Sequence, residues 1–213
     1  MNGMEKQQIN AENATEAASG TKTLKPEGLF RRLLREKGGA AAIEFAVLAL
    51  PFLIMVFASL ETFAAFFGEQ ILASANDTMA RKLRTGEITF NLGRATDKTE
   101  EQFRQMYCDQ ISYFLSCSAT EAKTPGKLYI DVRSYTEFSK IPTAIPRNGN
   151  DFDTKTTFAP GGPQKINMVR AYYRWSVVTD LVRPYVTNLR PAGSSMPKDY
   201  LMVATNTFIN ESF

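Results

Sequence analysis

"GGAAAIEFAVLALP", Gly38 to Pro51, is the stretch whose reading decides the fold of this chain. It opens an apolar run that continues as "FLIMVFASLETFAAFF" to Phe67, and the sixteen residues from Phe45 to Leu60 carry no charge. From Ala40 to Phe67 there are 28 residues, about 40 Å of helix at about 1.5 Å per residue, enough to cross a hydrocarbon core of about 30 Å. Pro51 would break a helix in water but is tolerated in a membrane helix, where a kink is expected. Glu44 is the anomaly, because a carboxylate in hydrocarbon costs several kcal/mol unless it finds a partner.

Two other readings of the run are weaker. "LASA" at Leu72 to Ala75 offers Ala73-x-Ala75 as a signal-peptide cleavage site, but the apolar stretch exceeds the ~7–15 residues of such a signal. A helix wrapped in a soluble core would need other segments apolar enough to surround it, and this sequence has none.

The flanking charge sets the orientation. Lys25, Arg31, Arg32, Arg35 and Lys37 precede the run, and the first bases after it are Arg81 and Lys82. The positive-inside rule then places the N-terminus in the cytoplasm and the bulk of the chain outside. The same bases could also rest on anionic headgroups.

Composition narrows the function classes. The 213 residues suit one ordinary domain with appendages, and an apolar fraction of 44% is that of a chain that folds. A net charge of +3 with no basic stripe beyond the pre-membrane segment argues against nucleic acid. There is no histidine, which removes the usual general base and the commonest zinc ligand. No motif places a Ser-Lys dyad or a carboxylate pair. A non-enzymatic protein without metal or cofactor is therefore expected.

Along the chain, residues 1–26 are polar and poor in large apolar residues, which predicts a disordered tail. Glu27 to Lys37 ("EGLFRRLLREK") reads as a short basic amphipathic helix on the inner membrane surface. The expected division is 1–39 cytoplasmic leader, 40–67 transmembrane helix and 68–213 outer domain. After the span, Ile71, Leu72, Ala75, Met79 and Leu83 recur at helical spacing, with Gly86 as a stop. The membrane helix thus continues outward as an amphipathic stalk, and Glu61 marks the outer boundary.

"TDKTEEQFRQMYCDQISYFLSC" predicts a second helix, with Asp97 and Thr99 as caps and Phe103, Met106, Tyr107, Ile111, Phe114 and Leu115 on one face. "KLYIDVRSY" alternates Leu128, Ile130 and Val132 with Asp131 and Arg133, the period of a half-buried strand. Ser139 to Lys165 holds four prolines and shows little periodicity, which predicts a mobile segment or a contact surface. "INMVRAYYRWSVVTD" places Val169, Ala171, Tyr173, Trp175 and Val177 on one strand face, and "DYLMVATNTFI" gives a further strand. The fold class is α+β: the stalk packs on a small outer domain with helices on one face of an antiparallel sheet.

The two cysteines, Cys108 and Cys117, both lie on the outer side. A disulfide between them is the natural reading, contributing about 2–3 kcal/mol by loop closure. In a continuous helix the pair would be about 13 Å apart, beyond the ~7 Å reach between bridged Cα atoms. The second helix must then end or bend before Cys117. Two unpaired core thiols remain the alternative.

The stretch "GGAAAIEFAVLALPFLIMVFASLETF" resembles the TadE-like pilus assembly proteins, pilin-related minor subunits of tight-adherence (Flp-type) secretion systems. The resemblance rests on about 30 residues: small residues followed by Glu-Phe at the head of a membrane helix. "YYRWSV" at Tyr172 to Val177 and the closing "ATNTFINESF" resemble the family's Tyr-x-Trp and Asn-Glu-x-Phe features, with Ser212 where proline is expected.

The resemblance implies cleavage by a prepilin peptidase between Gly39 and Ala40, making Glu44 the fifth mature residue, followed by Phe45. The new α-amino group stays largely protonated near neutral pH and offers Glu44 a partner, within the chain or on a neighbour. The simpler alternative is that Glu44 caps the helix N-terminus at the headgroup boundary. The partners implied are the bacterial inner membrane, the peptidase, other pilin-like subunits and the secretion machinery, with the outer domain periplasmic. A membrane-tethered periplasmic binding or catalytic domain unrelated to pili is the competing reading.

Overall fold

Apolar run and stalk form one uninterrupted helix, α1, from Lys37 to Arg84, in the computed structural model. The structure describes residues 37–179, 183–190 and 198–213, with side chains from 41 onward. The polar tail and the basic segment before Lys37 lie outside the described residues. Pro51 falls inside α1. The chain divides into two compact units between Leu53 and Ile54. Of the first, the described part is the start of α1; the second holds the rest of the helix and the domain that follows.

That domain is built as the hydrophobic pattern requires. Ile71, Leu72, Ala75, Met79 and Leu83 are all buried, with Leu72 and Met79 fully so. After α1 the chain turns at Gly86, whose φ of +79° favours glycine. A Cβ there would also stand 2.4 Å from the Phe213 ring.

Helix α2, Glu100–Ile111, starts at a capping box: the Thr99 hydroxyl accepts from the Gln102 N–H, and the Gln102 side chain accepts from the Thr99 N–H. Asp97, expected to share the capping, does something else. Its carboxylate accepts from the Leu92 and Arg94 amides and from the Thr89 hydroxyl, closing the loop before α2. Helix α2 buries Phe103, Tyr107, Cys108 and Ile111, and a short helix α3 follows at Ala119–Lys123.

Strands β1 (Leu128–Tyr135), β5 (Ile166–Ser176) and β6 (Asp199–Ile209) form an antiparallel sheet with β5 central. A two-residue strand β4 (Phe158–Ala159) joins the far edge of β1 in parallel. Between them lies a small hairpin of β2 (Arg147–Asn148) and β3 (Asp151–Phe152), and a short helix α4, Arg183–Val186, sits between β5 and β6. One sheet face, with Ile130, Val132, Val169, Ala171, Tyr173, Met202 and Ala204, shares a core with α1 and α2.

The expectation of half-buried strands is corrected on the other face. Tyr129, Tyr172 and Leu201 are buried there with Phe152 and Leu189 in a second, smaller cluster. The proline-rich stretch 139–165 supplies part of this cover and is fastened to the sheet. Arg170, itself buried, donates to the Pro142 and Ala144 carbonyls at 2.7 and 3.1 Å. The Thr157 N–H donates to Asp131 at 2.9 Å. A buried guanidinium and carboxylate are stable here because both find hydrogen-bond partners. The stretch lacks periodicity because it packs through single residues and backbone carbonyls, and a sequence pattern registers neither.

Candidate functional site

Helix α1 carries the candidate residues, and its surface changes character along its length. Apolar side chains from Phe45 to Phe63, including Leu48, Phe52, Met55, Phe57 and Leu60, are exposed, Phe45 by 74%. From Ala65 onward the helix contributes buried side chains to the core. A helix surface this apolar, and this long, is suited to lipid rather than water.

Glu44 lies in the exposed part. Among the described residues, no side chain pairs with its carboxylate. Gly39 and Ala40 are in helical backbone at the start of α1, so Ala40 and Glu44 stand one turn apart on one face. Gly38 and Gly39 each disfavour helix by about 1 kcal/mol relative to alanine. Helix propensity is therefore low up to the Gly39–Ala40 bond, and good formers, Ala40 to Ala42, begin just after it.

Glu61 does more than the boundary marker it was expected to be. Its carboxylate accepts hydrogen bonds from the backbone amides of Val178 and Thr179, just past the end of β5. Two further acids of α1 are met in the same way. The Tyr200 hydroxyl donates to Glu69 at 2.6 Å, and the Asn206 amide donates to Asp77 at 2.6 Å. Burial, and then the Glu69 carboxylate, push the Tyr200 hydroxyl up to about 12. The three acids fasten the helix to the sheet, each through a donor on or just beyond a strand. The sequence reading missed this because each partner lies more than a hundred residues away.

Cys108 and Cys117 are joined in a disulfide with Cα atoms 5.2 Å apart. Helix α2 ends at Ile111, and the turn of Ser112 to Leu115 brings the chain back. Two of the three aromatic residues of "YYRWSV" pack beside the bridge: the Tyr173 hydroxyl donates to the Ser116 carbonyl at 3.1 Å, and Trp175 stacks on Phe114. Burial is the main reason that the Tyr173 hydroxyl titrates above its usual range. Tyr107, buried against the stalk, donates to the Leu72 carbonyl at 3.0 Å, and burial, with the Asp77 charge second, pushes it well up.

The closing "INESF" locks the far end of α1. The Glu211 N–H donates to the Arg84 carbonyl at 2.9 Å, where the helix leaves carbonyls without partners. Asn210 donates to the Gly161 and Gly162 carbonyls, and Arg94 donates to the Phe213 carbonyl and lies over its ring. The two echoes singled out in the sequence thus both act in packing the outer domain.

Residues 39–81 match the family model described as TadE-like protein. No curated protein and no solved structure matches the chain. The matched stretch begins at Gly39 of the junction and ends at Arg81, inside the part of α1 that packs under the sheet. Over that helical segment, with its Gly-Ala-Ala-Ala-Ile-Glu-Phe junction, the chain is similar to the TadE-like family.

Proposed function

We propose that the protein acts structurally in a tight-adherence (Flp-type) pilus or secretion system, as a pilin-like minor subunit or assembly factor anchored in the bacterial inner membrane. The observation that carries the reading is the coincidence of the TadE-like match, starting at Gly39, with a helix whose apolar surface is exposed and holds Glu44, without a partner among the described residues. In this reading residues 1–39 form a cytoplasmic leader, 40–67 span the membrane and 68–213 form the periplasmic domain. The Cys108–Cys117 bridge supports an oxidising compartment for that domain.

Prepilin peptidase cuts between Gly39 and Ala40, where the two glycines make local unwinding cheap. The cut frees an ammonium at Ala40. Within one chain it stands a helical turn from Glu44; across a subunit contact it faces the Glu44 of a neighbour. In low dielectric that pairing is strongly favoured over leaving either charge alone, so Glu44 holds an entering subunit in register. Phe45 and the apolar residues after it pack against the neighbouring helices. The outer domain, held to the helix by Glu61, Glu69 and Asp77, is carried along and presented outside, where it contributes to surface adherence. No nucleic acid takes part.

N-terminal sequencing and intact mass of protein recovered from membranes test the reading. The mature chain is expected to start at Ala40. An intact Met1 start, in cells whose prepilin peptidase processes other substrates, would refute the proposed processing.

A further inference from the structure

The environment of Glu61 carries a consequence for the outer domain. Twenty residues of helix from Ala41, about 30 Å, reach Glu61, which therefore stands at the outer edge of the hydrocarbon when α1 spans a bilayer. A carboxylate at that depth needs donors, and it has two in the backbone amides of Val178 and Thr179. The end of β5 is thereby tied to the helix at the level of the membrane surface.

Among the described residues near this tether, two exposed ones are large and apolar. Val178 is 83% exposed, and Tyr185, on α4, is 87% exposed. Arg183 links that short helix to the tether, its backbone N–H bonding to the Thr179 carbonyl and its guanidinium to the Val177 carbonyl. A second apolar point comes from the turn after α2. Tyr113 is 72% exposed, and its neighbour Phe114 meets Phe67 of α1 edge-on at 4.9 Å. Phe67 is six residues above Glu61, about 9 Å along the axis.

Isolated exposed apolar residues are ordinary on a protein surface. Val178 and Tyr113 differ in standing next to contacts with the apolar part of α1, at Glu61 and Phe67, and aromatic residues beside an emerging helix suit the headgroup boundary. We infer that the outer domain rests on the bilayer, with Val178, Tyr185 and Tyr113 entering the interfacial lipid layer and Glu61 setting the depth. The contact fixes the tilt and height of the domain before assembly, and it must be given up when a subunit leaves the membrane. The inference rests on the reading of residues 40–67 as a membrane span.

The test uses the full chain in phospholipid nanodiscs. Val178→Cys adds one free thiol beside the native disulfide and is labelled with an environment-sensitive fluorophore. Glu211→Cys, paired with Arg84 at the far end of α1, serves as the reference position, about 34 Å further along the axis than Glu61. The label at 178 is expected to be blue-shifted and quenched several-fold more strongly by headgroup-proximal nitroxide lipids than the label at 211, which answers to aqueous iodide. Adding Glu61→Ala is expected to weaken the lipid quenching at 178.

A label at 178 quenched by iodide and not by lipid, in protein that co-elutes with the discs, overturns the inference and leaves the span intact. Shielding from both quenchers means that protein covers the site and overturns it as well. Failure to co-elute with the discs removes the span and the inference together. Tyr185→Cys is the second label site should Val178→Cys fail to fold.

Discussion

Glu44 and Glu61 sit on one helix, seventeen residues apart in one apolar run, and meet opposite fates. Glu61 is satisfied inside the chain by two backbone amides. Glu44 has no such donor among the described residues, and the proposed one is an amine that processing creates. The contrast separates two uses of a charge in apolar surroundings. A carboxylate whose donors are built into the same fold stabilises that fold. One whose donor must come from a cut end or a second subunit reports on assembly.

The sharpest way to break this comparison is at Glu44. Losing one member of a desolvated ion pair costs about 3–5 kcal/mol, so Glu44→Ala should reduce piliation or adherence by at least an order of magnitude while membrane insertion, read by fractionation, stays normal. Unchanged piliation would end the proposed role.

A parallel comparison within α1 predicts the next largest effect. Leu72 is fully buried and Leu60 is exposed on the same helix. Leu72→Ala should lower the unfolding free energy of the detergent-solubilised protein by about 2–5 kcal/mol, and Leu60→Ala should leave it nearly unchanged. Equal effects would mean that the two halves of the helix do not have different solvents.

Glu61→Ala comes third. It leaves two amides without their charged acceptor, for about 1–2 kcal/mol, and should raise hydrogen exchange at Val178 and Thr179 with insertion intact. A loss of piliation matching that of Glu44→Ala would erase the distinction between the two acids.

The smallest effect concerns the next acid along the helix. Burial, and then the Glu69 carboxylate, raise Tyr200 from 10.0 to about 12, so the folded state holds the hydroxyl proton after the unfolded chain has lost it. This contribution is whole below pH 10 and is lost as pH rises from 10 toward 12. Tyr200→Phe should make the alkaline decline in stability shallower; an unchanged slope would mean that the Tyr200 hydroxyl carries none of it.

The spacing of Ile71, Leu72, Ala75, Met79 and Leu83 made the stalk legible, because one buried face on a 3.6-residue period leaves its mark wherever it packs. The three long strands were legible for the same reason at a period of two. Other features left no periodic trace. The second small core depends on Phe152 and Leu189, single residues in irregular segments. The role of Asn210 and Glu211 in closing the end of α1 depends on backbone carbonyls of distant glycines and of Arg84. Of the candidate residues, Cys108 and Cys117 were legible as a bridge that requires the second helix to end or bend before Cys117, and α2 does end at Ile111, although the spacing alone does not say where.

Local order along the chain was enough to determine that there is an apolar helix of membrane length, a junction of small residues before Glu44, an amphipathic continuation and strands to follow. Each of these is a property of neighbouring residues and their period. Which acids of the helix are answered, and by what, was decided only by tertiary structure. Val178, Tyr200 and Asn206 reach Glu61, Glu69 and Asp77 across more than a hundred residues of chain, and a hydrogen bond formed at that separation depends on how the sheet packs against the helix.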